Sequence, residues 1–477
     1  MSKKLIATTM VALALPWLAS AQDAKAILDA TEKAMGAANM GSMQFKGSGL
    51  NYQFGQAANP TMGWPKFNVK TYTRVVDFDA GASRQVMVRT QGENPVRGGG
   101  QQPIIGEQTQ TQVLGTNQPY SVSYDIWITP FGFLKAAAAN NPTVKAETVG
   151  GKKFNVVSAK VENKYTLTGY INEQNMVEKV TTVVDTPVLG DTPVEANYSD
   201  YKDFNGLKFP AKMEVKQGGY TVMDLTITDA TKNVMGGVQQ PKVDLNPRQI
   251  VDEQLIANGV YYLTGGTHHS VAVEFNDYVL VIESPQDASR GEAVLSEVKK
   301  LFINKPIKYL VTTHNHFDHS GGIRPFAAEG ATILTYTTNK PYFDKLFAAP
   351  RTLSPDKFSA SKKKAAVEAV AEKRVITDGT RTLELYHVAS PHTDTMLVAY
   401  LPKEKVLVEA DLLTFNPPAP GAAAAPAPAA GAAPAPPNVN AVALYDGIEK
   451  LKLDFNVGLG LHGKQFTKAD LAKAAGK

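Results

Sequence analysis

Three histidines and an aspartate fall within six consecutive positions of Thr313-His314-Asn315-His316-Phe317-Asp318-His319-Ser320-Gly321-Gly322. Neutral imidazole and carboxylate are the donors that borderline divalent cations such as zinc take up. Burying so dense a polar group is costly unless something pairs it, and a cation does. The chain has only eight histidines in 477 residues, so chance histidines in an exposed polar turn are a poor account of three here. Lys308-Tyr309-Leu310-Val311 reads as a short buried strand leading into the segment. His314 and His316 stand two apart, and in extended chain both rings point to one side and can reach one ion. Asp318 and His319 are adjacent and cannot share that direction in a strand. They fit a loop turning into a helix, facing a second ion nearby.

The pattern His-x-His-x-Asp-His after a strand resembles the signature of the metallo-β-lactamase superfamily. That resemblance implies further donors downstream, and each has a counterpart in the expected order. His392 sits in Ala389-Ser390-Pro391-His392-Thr393-Asp394, before the strand-like Met396 to Pro402. Asp411 ends the strand-like Lys405 to Asp411, and His462 lies near the C-terminus in Gly460-Leu461-His462-Gly463. Ala410 departs from the family, which usually has Gly before this Asp; packing is affected more than chemistry. The resemblance spans about residues 250 to 470. It implies an αββα sandwich with His314, His316 and His392 on a first zinc, Asp318, His319 and His462 on a second, and Asp411 bridging. It further implies a hydroxide held between two zinc ions as the nucleophile, and Asp318 as a catalytic residue that ligates, orients the nucleophile and shuttles a proton.

The chain contains no cysteine, which excludes the branches of that family with a thiolate at the second metal. Histidine-type β-lactamases stay open. A bridging Asp411 fits better with lactonases, thioesterases of the glyoxalase II kind and phosphodiesterases. The expected activity is therefore hydrolysis of an ester, lactone, thioester, amide or phosphodiester. One alternative is β-lactam hydrolysis; another, of a different class, is a non-catalytic, metal-stabilised periplasmic binding protein. The Ser-x-x-Lys pattern Ser359-Ala360-Ser361-Lys362 lacks the companion motifs of serine β-lactamases and is set aside.

Elements must position these donors. Val260 to Leu263, Val271 to Phe275 and Tyr278 to Glu283 read as strands, the last two a hairpin around Asn276-Asp277. Residues 286–301 read as a helix, and so does Ser361 to Arg374. His268 and His269, after Gly265-Gly266, are read as a polar loop, with a place lining the site as the alternative. His387 is read as structural. Pro417 to Pro437 is nearly all Ala, Pro and Gly and cannot build a core, so an extended loop is expected, either a tolerated insertion or a lid.

Ahead of a linker near 236–249, residues 22–245 alternate apolar and polar residues in many short runs, punctuated by Asn172-Glu173, Asn205-Gly206 and Gly218-Gly219. They predict an antiparallel β-rich, half-barrel-like domain with a helix from Asp23 to Ala38, before a catalytic domain at 250–477. The fold class is thus α+β. Tyr198 to Pro210 loosely resembles a pattern in periplasmic sheets similar to lipoprotein carriers, which suggests the half-barrel and not lipid transport. Gly92 to Gly106 is expected to be a mobile loop. A role for this domain in shaping the entrance is the alternative to a plain scaffold.

Ser2-Lys3-Lys4, the apolar Leu5 to Leu18 and the small-x-small Ala19-Ser20-Ala21 read as a signal peptide over 1–21. The apolar run is too short to span a bilayer comfortably, so a soluble periplasmic or secreted protein is expected. Lys3 and Lys4 supply two of the four formal positive charges, leaving too weak a bias to argue for nucleic acid or an anionic membrane. The expected partner is a small-molecule substrate.

Overall fold

Strand-like alternation dominates the first half of the chain, and all of it joins one antiparallel sheet of eleven strands. The computed structural model describes residues 15–93, 95–100, 106–245, 247–413 and 437–477. Within the sheet, two meanders meet where the first strand, Ser42–Tyr52, pairs with the last, Tyr220–Lys232. Asn205-Gly206 and Gly218-Gly219 make the tight hairpin turns. Both residues of each pair have positive φ (55° and 84°; 60° and 87°), the conformation that matches strand twist and that Asn and Gly tolerate. The helices Leu15–Ala34, Tyr120–Trp127 and Pro130–Ala139 lie against the sheet. Phe45, Tyr120, Phe131, Phe133, Leu167 and Phe209 fill the core between. The first helix therefore starts before Asp23 and stops short of Ala38. It stops because Gly36 turns at φ +72°, where the chain passes so close to the Gly206 carbonyl that a Cβ would lie 1.9 Å from it.

The second half folds as two facing sheets of seven and six strands. Val273, Leu280 and Ile282 of the first sheet meet Leu385, Leu397, Leu407 and Leu459 of the second in one core. The alternate residues Val279 and Val281 face outward, under the helices Ala288–Leu301, Ile323–Glu329 and Lys340–Ala348. A strand covered on both faces reads as a continuous apolar run, as Val279–Ile282 does. The helices Val439–Leu451 and Lys468–Ala474 add Leu444, Ile448 and Leu471 to the core from the other side. This is an αββα sandwich behind an antiparallel β-rich unit, an α+β chain. Between them the described residues from Asn233 to Val251 form no helix or strand.

The expected helix Ser361 to Arg374 is wrong. A short helix, Lys357–Ser361, ends where Lys362 takes φ +55°. The chain then forms the strands Val367–Val370 and Lys373–Thr377. Val367–Val370 is taken up in parallel by Thr332–Tyr336; pairing in the sheet overrides the local helix preference of the lysines. Ser359 is a structural hydroxyl, bonded to Asp356 (2.8 Å) and Arg324 (2.9 Å). Residues 1–14, and 414–436 of the Ala/Pro-rich stretch, lie outside the described residues. Among the described residues no helix is long and apolar enough to cross a membrane.

Candidate metal centre

The strand Ile307–Val311 sits between two parallel neighbours, Val279–Ile282 and Thr332–Tyr336. Its C-terminal end runs straight into the histidine segment. His314, His316 and His319 are completely buried. His316 stands just ahead of the one-turn helix Phe317–Ser320, which carries Asp318 and His319. The Gly pair that follows is dictated by close approach: a Cβ on Gly321 would lie 1.7 Å from the Gln286 carbonyl. Asp318 in turn holds that loop, its carbonyl accepting from Gln286 N–H at 2.8 Å. Gly321→Ala is expected to force the two backbones apart and cost about 2 kcal/mol or more. Unfolding in denaturant checks this, and an unchanged midpoint would refute it.

All seven donors named from the sequence come together, and an eighth joins them. One group is His314, His316, His392 and Asp411; the other is His268, Asp318, His319 and His462. Within each group the donor atoms lie within 4.8 Å of one another. The Asp411 carboxylate touches both. Its Oδ2 lies 3.1 Å from His392 Nε2 and 2.8 Å from His319 Nε2, and its Oδ1 lies 2.7 Å from His462 Nδ1. Asp411 holds φ +62°, a left-handed conformation that Asp tolerates better than most residues.

The reading of His268 as a polar loop is corrected. His268 is 7% exposed, its Nε2 lies 3.2 Å from Asp318 Oδ2, and its ring lies 3.8 Å from that of His462. The cause is a bridge between the two sheets: His268 pairs with His462, and His269 N–H donates to the Leu461 carbonyl. His269 Nε2–H donates to the Gly463 carbonyl at 2.9 Å, and the ring stands outside both groups. His387 stacks on Tyr336 (3.9 Å) away from the centre.

Glu283 escaped notice in the sequence. It ends the apolar run from Val279, is fully buried, and turns at φ +66°. One carboxylate oxygen accepts Thr313 N–H (2.6 Å) and the other faces His319 Nδ1 (2.7 Å). With the Nδ1 proton held by Glu283, His319 Nε2 is the nitrogen turned toward Asp411, where a cation would displace any proton it carries. The first meander was also missed: Gln56 and the Ala57 carbonyl reach Asp318 and His316. Part of the loop expected to be mobile is docked here too, with Gly98 N–H on Pro391 O and Arg97 on Asp394.

Electrostatics suits cation binding. Burial, reinforced by neighbouring imidazoles, drives the pKa of His314 well down and that of His316 to about 3. Both rings are therefore neutral, the form that binds metal. Burial pushes Asp318 up, but His319 and the His268 hydrogen bond outweigh it and hold the carboxyl below its usual range. Burial alone would disfavour charge on His319; Asp411, Asp318 and Glu283 raise its pKa instead. Burial carries Glu409, two residues before Asp411, up to about 8. Among the described residues His316 Nδ1 is buried with no hydrogen-bond partner, a cost that a cation would relieve. The donor set thus fits divalent ions.

Residues 263–454 match the model of the metallo-beta-lactamase superfamily. Among curated proteins, the chain is similar to the alpha subunit of 2,4-dinitroanisole O-demethylase from Nocardioides sp. (strain JS1661), with 22% identity over 196 residues. That match covers 40% of this chain and 52% of the relative, so the chain spans about half the relative's length. Among solved structures, a metallo-beta-lactamase from Pontibacter korlensis aligns at 21% identity and TM-score 0.36, over 48% of this chain and 98% of that one. The flavodiiron protein from Giardia intestinalis aligns at 16% identity and TM-score 0.34, over 48% of this chain and 59% of that one.

Proposed function

From residues 263–454, which form a domain of the metallo-beta-lactamase superfamily, we propose that the protein is a hydrolase working with two divalent ions, zinc by preference. The observation that carries this reading is the meeting of two four-donor groups at Asp411. His314, His316 and His392 would hold the first ion, and Asp318, His319 and His462 the second, with His268 beside them and Asp411 between. Bound there, such ions lower the pKa of water to near ~7 and polarise a substrate carbonyl or phosphoryl oxygen. Asp318 has a side chain 31% exposed, whereas Asp411 is at 2%. Asp318 is therefore the carboxylate placed to meet substrate: it would orient the nucleophile and shuttle a proton once substrate is bound. Asp411 is confined to holding cations and aligning imidazoles.

The bond attacked belongs to an ester, lactone, thioester, amide or phosphodiester. The name of the Nocardioides relative adds an aryl methyl ether to the compounds worth assaying. The test is a metal count on the purified chain, then turnover of a chromogenic cephalosporin, a lactone, a thioester, a phosphodiester and an aryl ether, each with a chelator control. Chelator-sensitive turnover that disappears in His316→Ala supports the proposal, and the compound turned over fixes the branch, β-lactams included. Two bound ions with no turnover of any compound would overturn it in favour of a metal-stabilised binding protein. Export to the periplasm or medium belongs to the proposal, resting on residues 2–21. A recovered chain beginning at Gln22 supports it, and one that retains those residues in the cytoplasm refutes it.

A further inference from the structure

We propose that the loop between the first two strands of the N-terminal sheet is a working part of the metal centre, with Gln56 as a positioning residue for Asp318 and hence for the second ion. The loop leaves the strand Ser42–Tyr52 and crosses the histidine segment before re-entering the sheet at Lys66–Asp77. Gln56 Nε2 donates to Asp318 Oδ1 at 2.8 Å. That fixes one carboxylate oxygen and turns the other, Oδ2, toward His268 (3.2 Å) and His319 (3.8 Å). The next residue acts on the first group. The Ala57 carbonyl accepts from His316 Nε2 at 3.0 Å and from Asn315 Nδ2 at 2.9 Å. With its proton held on Nε2, His316 presents Nδ1, which has no partner among the described residues, to an ion.

The approach is built and not incidental. Phe317 N–H donates to the Gly55 carbonyl, and Gly55 sits at φ +84° with no room for a Cβ, which would lie 2.6 Å from the Phe317 ring. Phe54 and Trp64 hold that ring edge-on at 5.2 and 5.7 Å. The loop also grips the segment carrying His392. The Ala58 carbonyl accepts Asp394 N–H and Thr393 Oγ1, both at 2.8 Å, and Asn59 Nδ2 reaches Asp394 Oδ2 at 2.8 Å. Two donor-bearing segments, about 75 residues apart in sequence, are thus held by one short stretch of the N-terminal unit. Hydrogen-bond partners behind metal ligands typically control about 10–100-fold in affinity. Gln56 is such a partner, supplied by a different sheet.

The inference rests on the two-ion reading of the centre, so the parent chain is measured first: a parent that takes up no ions overturns that reading. Stepwise affinities come from competition with a chromophoric chelator, and the visible spectrum of the cobalt(II)-loaded full chain reports ligand geometry. Gln56→Ala and the near-isosteric Gln56→Met are expected to weaken the second ion roughly 10-fold, leave the first unchanged, and shift the cobalt bands. If Gln56→Ala does not fold, Gln56→Met decides. Two ions bound with parental affinity and spectrum in the variant that folds would overturn the inference and leave the loop a mere contact between units.

Discussion

Asp411→Asn is expected to lower the affinity of both ion positions by at least about 100-fold, more than loss of a partner behind a ligand does. Any hydrolytic kcat/KM is expected to fall on the order of 10³-fold, the size seen when a group that stabilises charge in a site is removed. The substitution is clean. Asn occupies the left-handed region as readily as Asp, so the φ of +62° at this position is kept. What is lost is the single negative charge that faces His319 and His392 through one oxygen and His462 through the other. The metal count per chain and stepwise affinities check it. Two ions held as tightly as in the parent would remove Asp411 from the role assigned to it.

Glu283→Ala is expected to cost about 3 kcal/mol of stability, because it strands the buried Thr313 N–H and the His319 Nδ1 donor without acceptors. Ion affinity is expected to fall roughly 10–100-fold as well. Glu283→Gln separates the two effects. Its carbonyl can still accept Thr313 N–H, but its amide donates where a carboxylate accepted. His319 must then move its proton to Nε2, the nitrogen that faces Asp411. Stability is expected to drop less than in the Ala variant, while affinity drops as much. Denaturant unfolding of the metal-free chain together with metal titration reads both quantities. A Gln variant that binds ions like the parent would show that the tautomer of His319 is set by something else.

Much of the centre was visible in the residues. His314, His316, Asp318 and His319 are contiguous, so their donor types and spacing announce themselves without any knowledge of packing. His392, Asp411 and His462 are scattered singly and were singled out only by the resemblance to a known superfamily; the structure brings all three to the same place. His268 also carried a signal, a histidine pair after Gly265-Gly266 at the end of a strand, yet it looked like any polar loop. Only the bridge to His462 between the two sheets gives it a buried position. Glu283 carried a weaker sign, an acid closing a fully apolar strand. Gln56 carried none: Phe54-Gly55-Gln56-Ala57-Ala58-Asn59 is ordinary loop composition.

The fold divides the same way. The strands Val279–Ile282 and Leu397–Leu401 and the hairpin turns at Asn205-Gly206 and Gly218-Gly219 were legible, because period and turn chemistry are properties of a few adjacent residues. Residues 361–374 misled, because a lysine-rich stretch with a local helix preference was captured by a neighbouring strand. By itself, then, the sequence determined the donor types, their local spacing and most of the elements that carry them. The tertiary structure alone decided which nitrogen of each imidazole faces the centre, that His268 belongs to it, and that a loop of the N-terminal sheet holds Asp318 and His316. Those choices are made by hydrogen bonds between segments up to 292 residues apart, and no local pattern at either end encodes its partner.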